Sequence, residues 1–416
     1  MRRMMVRSLV FDFPKYPESL DWLLREFRLI ANRSIRIALR TGVTSRYRLC
    51  KVAYAPLSRE HSILKQYIPS AFEVATGALK AYRRRLRKGR EGRVPYLRRP
   101  MLKAENQSYR LDRTTGRLRI SIRAGEHVFL DLPLSSWHRN FLSEFSWALG
   151  SLTIVPGRVI ITVRKLSPEP YRPEGAIALD TNEDSLDGVV ADPTNAQMLR
   201  VPLGGIRRVQ HTHFCRRRKL ARKKANDRRV KRILLARESR RERNRVKQRL
   251  HLVSRHLVDA ARNLKHGIVL EDLRLPRPGT PSRKLNRRLS SWPYSELHRQ
   301  IEYKAAFEGV PLSKVPPRYT SKTCPACGAR RRDRVGKVFE CPSPACGWRL
   351  DRQLNAGLNI LKTALASNEA LARAVWFQPA ALRKDVMIPL CELLAATAGA
   401  REEPSGDESR APLLIE

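Results

Sequence analysis

Cys324, Cys327, Cys341 and Cys346 fall within 23 residues, in "TCPACG" and "CPSPACG". A Cys-x-x-Cys turn lets two thiolates reach one ion, and the wider second pair is still within metal-ligand range. Gly328 and Gly347 permit the knuckle turns that aim backbone amides at sulfur. Four reduced cysteines in a loop would need a coincidence of spacing, so the cluster is predicted to hold zinc. Four thiolates leave no position open to water, which makes this metal structural. The other three of the seven cysteines are scattered, against a disulfide framework. His211, His213 and Cys215 in "HTHFC" imitate a second site but lack a fourth partner, and read as part of a basic connector.

A second chemistry rests on acids. Asp180 ends the run "AIALD" and Glu271 ends "GIVLE". Both strands are too apolar to carry an unpaired carboxylate without cost. A solvated strand end explains either acid alone, but its recurrence favours a shared metal site. Hydrolysis of a phosphodiester with two magnesium ions requires carboxylates that converge and hold the ions roughly 4 Å apart. A final helix would deliver the third acid, and "GWRLDRQLNAGLNIL" (347–361) offers Asp351, with Gln353 two positions later. Two positions on a helix turn a side chain about 200°. Asp351 can therefore replace an acid at 353 only if the segment is still extended there. Its bland role is the helix cap, a position that favours Asp.

The elements that must position these residues follow from periodicity. "VRSLVFDF" near the N-terminus alternates as a strand. Leu20, Leu23, Phe27, Ile30 and Leu39 fall near one helical face between Pro17 and Arg40, and a second helix is expected over about 60–88. "RLRISI", "HVFLDL" and "RVIITV" return to a period of two. Pro168, Pro170 and Pro173 mark a boundary, followed by strands at 175–180, 186–192 and 197–203. Residues 207–250 carry twenty Lys/Arg and three acids at helical spacing. A strand at 266–273, a mobile basic loop "RLPRPGTPSRKLNRR", a helix at 295–309, a short strand through Lys314 and a helix from about 352 complete the order. A short hairpin is expected between the cysteine pairs, in "ARRRDRVGKVFE". The last residues, "AREEPSGDESRAPLLIE", read as an acidic disordered tail. Three strands, helix, strand, helix, strand, helix is an RNase H-like order.

The 416 residues carry a formal net charge of +44. That excess calls for a polyanion, and nucleic acid is the common one. Neither a secretory signal nor a membrane span is legible. The expected location is therefore the cell interior, facing nucleic acid.

The ordered set "ALDTNED", "GIVLEDL", "WPYSELHRQIEYKAAFEGVPLSKVPPRYTSKTCPACG" and "CGWRLDRQLNAGLNIL" resembles the transposon-encoded TnpB proteins, relatives of the type V CRISPR effectors. The specific motifs cover about 175–362, whereas 1–165 match in general layout alone. The resemblance implies an α+β multidomain chain. Residues 1–170 would be a β-barrel wedge with a helical recognition insert at about 17–100. Residues 171–318 would be an RNase H-like (RuvC-type) domain with a basic helical segment at 207–265. A zinc ribbon at 319–350, a final helix at 351–366 and a C-terminal extension at 367–416 would follow.

By position, Asp180 and Glu271 match the first two catalytic acids, and the four cysteines match the ribbon ligands. The family's third acid falls where this chain has Gln353, which leaves Asp351 as the candidate. Implied partners are a guide RNA and double-stranded target DNA, with zinc as structural and magnesium as catalytic metal. Arg83, Arg84, Arg85, Arg216, Arg217, Arg218, Lys223 and Lys224 are expected to contact nucleic acid, while Tyr82 and Tyr96 are stacking candidates of equal standing with core aromatics. Two functions lead, a nuclease with a displaced third ligand or an RNA-guided binder that acts by occupancy, and behind them stands a zinc-ribbon RNA-binding protein without DNA targeting.

Overall fold

The computed structural model describes residues 4–13, 17–223, 227–274, 279–333, 336–375 and 383–389. The chain divides into two compact units after Leu166, four residues before the expected boundary.

In the first unit, β1 (Met4–Asp12) is followed by α1 (Glu18–Arg40), α2 (Arg46–Glu60), α3 (Tyr67–Leu86), β2 (Leu102–Ala104) and β3 (Tyr109–Leu111). Then come β4 (Arg117–Arg123), β5 (Glu126–Asp131), α4 (Ser136–Leu142), β6 (Ala148–Val155) and β7 (Arg158–Leu166). The first helix buries Leu20, Leu23, Phe27 and Ile30 as its period requires. The helix expected over 60–88 is α3, and α2 before it is a further helix that was not expected. Residues 61–66 break the helical path, and α2 begins at a Ser45 cap that accepts from the Arg48 amide. The earlier helix hides in the sequence because it contains Pro56 and buries only Leu49, Ala53 and Leu57. The strands form two antiparallel sheets, β1-β7-β6-β2 and β3-β4-β5, rather than one closed barrel. Arg83, Arg84 and Arg85 sit in the last turn of α3, where the helix dipole favours positive charge.

The second unit opens with β8 (Gly175–Thr181), β9 (Ser185–Ala191) and β10 (Ala196–Pro202). Next are α5 (Ile206–Lys223), a π-helical turn at Val230–Leu234, α6 (Leu235–Asn263), β11 (His266–Glu271), α7 (Arg283–Ser291), α8 (Tyr294–Glu308) and β12 (Leu312–Val315). The unit continues through β13 (Val338–Glu340), β14 (Arg349–Asp351), α9 (Arg352–Ser367), α10 (Glu369–Ala374) and β15 (Arg383–Pro389). Part of the loop expected to be mobile is instead α7, started by a Ser282 side chain that accepts from the Leu285 amide. The C-terminal extension adds a strand, since β15 pairs in parallel with β10. The acidic tail and Lys224 lie outside the described residues.

Six strands form one sheet in the order β12-β11-β8-β9-β10-β15. Both faces are covered. Ile177, Leu179, Leu199, Ile268 and Leu270 pack on the helices α5, α6 and α8. Ala176, Ala178, Val189, Met198 and Val269 pack on α9 together with Phe339, Trp348 and Leu350 of the cysteine-bearing segment. The near-continuous apolar runs of β8 and β11 are what a strand buried on both faces requires. Two glycines set the spacing of α9. A Cβ at Gly357 would collide with the Gly188 backbone, and one at Gly188 would collide with the carbonyl of Ala178.

Candidate active site and metal centre

The four cysteine sulfurs lie within 4.8 Å of one another. Cys324 and Cys346 are 3.7 Å apart, and Cys327 and Cys341 are 3.4 Å apart. Tetrahedral zinc with bonds of about 2.3 Å separates its sulfurs by roughly 3.8 Å, so the cluster fits the ion. Gly328 and Gly347 have φ of 77° and 59°, the left-handed conformation each knuckle needs. The Ala329 amide, more than the neighbouring thiols, pulls Cys327 down to about 7. Burial pushes Cys324 up, and Cys341 up to about 12. Proton loss at those two sulfurs is therefore coupled to metal binding.

The hairpin expected between the cysteine pairs is corrected. Instead, each pair has its own: a bridge of Thr323 with Arg330 around the first, and β13–β14 around the second. His213 is buried against Glu238 at 2.8 Å, while Cys215 and His211 stand 3.6 Å apart. Among the described residues, the four cysteines are the one cluster of this kind.

Strand alternation decides where the acids go. In β8, Ala176 and Ala178 face α9, so Asp180 does too. Val189 and Ala191 set the same face for Asp187, and Val269 sets it for Glu271. β11 runs parallel to β8 with Leu270 opposite Leu179, which brings Glu271 beside Asp180 one rung later. The two carboxyl groups are close enough for each to shift the other's acidity. Burial, and then the charge of Glu271, raise Asp180 to about 7. Burial raises Glu271 as well, although the Thr320 hydroxyl donates to it at 2.7 Å. Glu271 is 4% exposed, whereas Asp180 keeps partial access to solvent.

Asp187 is the acid that the sequence reading missed. It lies directly opposite Asp180 in the β8–β9 ladder and is fully buried. The Asn182 amide donates to Asp180 Oδ2 and to Asp187 Oδ2, at 3.1 Å each. Two oxygens sharing one donor at that distance are at most about 6 Å apart. Asp187 also accepts from Ser185 and forms an ion pair with Arg200.

Asp351 is the N-cap of α9. Its Oδ1 accepts from the Gln353 amide at 2.9 Å and the Leu354 amide at 3.3 Å, with the Arg200 guanidinium at 3.8 Å. Gln353 is one helical turn before Gly357 and so shares the face that packs on β9. Two further side chains of α9 serve the cysteine segment. Asn355 and Asn359 both donate to the Thr323 carbonyl, and Asn359 also to that of Thr320.

The basic residues named from sequence are dispersed. Arg217 pairs with Glu242, and Arg216 approaches Glu238 at 3.8 Å, while Arg218 is exposed. Lys223 ends α5. No helix of the described residues is long and apolar enough to cross a membrane.

A family model for the Cas12f1-like TNB domain matches residues 294–360, and one for the uncharacterized protein MJ0013 family matches 23–121. TnpB-like protein MJ0751 of Methanocaldococcus jannaschii is 27% identical over 254 residues, 59% of this chain and 90% of the relative. The CRISPR-associated endodeoxyribonuclease Cas12f1 of Sulfoacidibacillus thermotolerans is 37% identical over 116 residues, 26% of this chain and 25% of the relative. Among solved structures, the Cas12f1–sgRNA–target DNA complex has a TM-score of 0.59 at 14% identity, covering 82% of this chain and 81% of that one. The mini-RNA-guided endonuclease CRISPR-Cas_phi3 has a TM-score of 0.51 at 11% identity, covering 86% and 92%. At these identities the structural likeness is one of fold.

Proposed function

This chain belongs to the TnpB family, related to the type V effectors, and from that membership we propose that it is an RNA-guided DNA endonuclease. The single observation that carries the reading is the Asp180–Glu271 pair, two strand-borne acids held against each other on one face of a buried sheet. Counted from β8, the strand order is 5-4-1-2-3 with helices on both faces. That order supports an RNase H-like (RuvC-type) domain, with the zinc ribbon inserted before its last helix. The net charge of +44 suits a chain that holds a guide RNA and double-stranded target DNA by their phosphates.

The donor set fits magnesium. Hard carboxylate oxygens converge, and their mutual repulsion favours a cation between them. When bound, magnesium activates water and steadies the leaving oxygen. Asp180 and Glu271 would hold it, and Thr320 orients Glu271. For the third carboxylate, Asp187 is better placed than Asp351. Asp187 shares a donor with Asp180, whereas Asp351 is engaged in capping α9. Guide-loaded protein with supercoiled target plasmid and magnesium then tests both assignments. Cleavage is expected, lost in Asp180→Ala and Asp187→Asn but kept in Asp351→Ser, which can still cap. Absence of a defined co-purifying RNA, with no target binding, would sink the reading.

Gln353 and the Arg200–Asp187 ion pair favour a second reading, an RNA-guided DNA binder that acts by occupancy. It expects target binding without nicking, and nicking gained on Gln353→Asp.

A further inference from the structure

We propose that a basic cleft between α5 and α7 seats a single-stranded polynucleotide, with one base stacked on Phe214 and Arg287 and the phosphates on Arg208 and Lys284. The cleft has a volume of about 530 Å³, the size that encloses a small ligand such as a nucleotide and excludes a duplex. Its acids are already matched. Asp184 pairs with Arg207 at 3.4 Å, and Glu242 pairs with Arg217. Arg208, Lys284 and Arg287 have no carboxylate partner among the described residues, so the cleft keeps an excess of positive charge. The Arg287 guanidinium lies 3.8 Å from the centre of the half-buried Phe214 ring. A flat cation on an aromatic face is a platform onto which any base can stack. Three features therefore coincide: a nucleotide-sized space, uncompensated charge for phosphate, and a stacking surface.

The same helix and the residue after it contact the β8–β9 turn. Arg288 of α7 bonds Glu183 at 3.0 Å, and the Trp292 indole donates to the Asn182 carbonyl at 3.2 Å. The Asn182 amide in turn touches Asp180 and Asp187. A strand seated in the cleft thus lies near the β8–β9 turn, whose flanking strands carry Asp180 and Asp187. The claim that it is led to a cutting centre rests on the nuclease reading, while the seat itself rests on the cleft.

The experiment uses the full chain with its co-purifying RNA, and single-stranded DNA and RNA oligonucleotides carrying 5-iodouracil. Irradiation followed by peptide mapping should place an adduct at Phe214, and comparing the two oligonucleotides tells which strand chemistry the seat prefers. In anisotropy titrations, Phe214→Ala should weaken single-strand binding about tenfold. Arg208→Ala with Lys284→Ala should lower the slope of log affinity against log salt by about 1.4, since each single-strand phosphate contact contributes roughly 0.7. Adducts confined to other elements, or unchanged affinity and slope in both variants, would overturn the proposal. The double variant alters exposed side chains and stays informative even if Phe214→Ala fails to fold. Loss of guided cleavage or of target recognition would count against the nuclease reading alone, because the oligonucleotide measurements do not depend on it.

Discussion

The cysteine cluster and the acid cluster both lie on the α9 side of one sheet, but the chain assembles them differently. The cysteines come from two local turns within 23 residues, each with its own glycine. Asp180 and Glu271 stand 91 positions apart and meet because two parallel strands register. A locally built site succeeds or fails as a unit. One assembled from neighbouring strands has other side chains within reach, and Asp187 is such a neighbour. A missing ligand on the helix therefore need not empty the acid site, whereas a missing cysteine would open the ribbon.

Replacing Cys324 or Cys341 by Ser should cost most. Structural zinc contributes on the order of 10 kcal/mol in isolated zinc-binding peptides. Metal analysis should show zinc lost from the chain, and limited proteolysis should cut within 322–351. If those variants keep one zinc per chain, the ribbon is not the unit described here. By contrast, Asp187→Asn should leave the zinc content unchanged.

A smaller effect comes from His298 beneath the acid strand. Its imidazole bonds the Thr181 hydroxyl at 2.8 Å, and burial, helped by Lys314, lowers it to about 4. Between that value and about 6.5 the unfolded chain takes up a proton that the folded one refuses. Stability should thus fall as pH drops through this window, by about 3 kcal/mol in all. His298→Gln should flatten that part of the profile of thermal unfolding against pH; an unchanged profile would exclude His298 as its source.

Gly357→Ala tests the contact that seats α9. The added methyl meets the Gly188 backbone, and a cost of about 2 kcal/mol is expected from overpacking. Denaturant unfolding would measure it, and a neutral result would mean that the helix can move away. Smallest is Asp351→Ala, which should remove about 1 kcal/mol of capping. Asp351→Ser should restore most of it. Full stability in the Ser variant with loss of cleavage would make Asp351 a ligand and displace Asp187.

Residue type and spacing made the ribbon legible, since cysteine turns and glycine knuckles are short-range signals. Strands β8 and β11 were equally plain, because an acid closing an apolar run is conspicuous. Asp187 lacks that mark, because it stands ahead of the apolar run in "LDGVVA" rather than at its end. Register alone puts it across from Asp180. The helix α2 went unread, because Pro56 and a narrow buried stripe blurred its period. The order of strands in the two small sheets depends on long-range pairing, which no local pattern encodes.

Thr320 ties the two clusters together. Its hydroxyl supports Glu271, and its carbonyl is gripped by Asn359 on the helix that follows the ribbon. A chelator or oxidant acting on the thiols would therefore be felt several residues away, as a carboxylate that loses its one hydroxyl donor and holds its proton more tightly. The nominally inert metal would then govern the acidity of a residue it never touches.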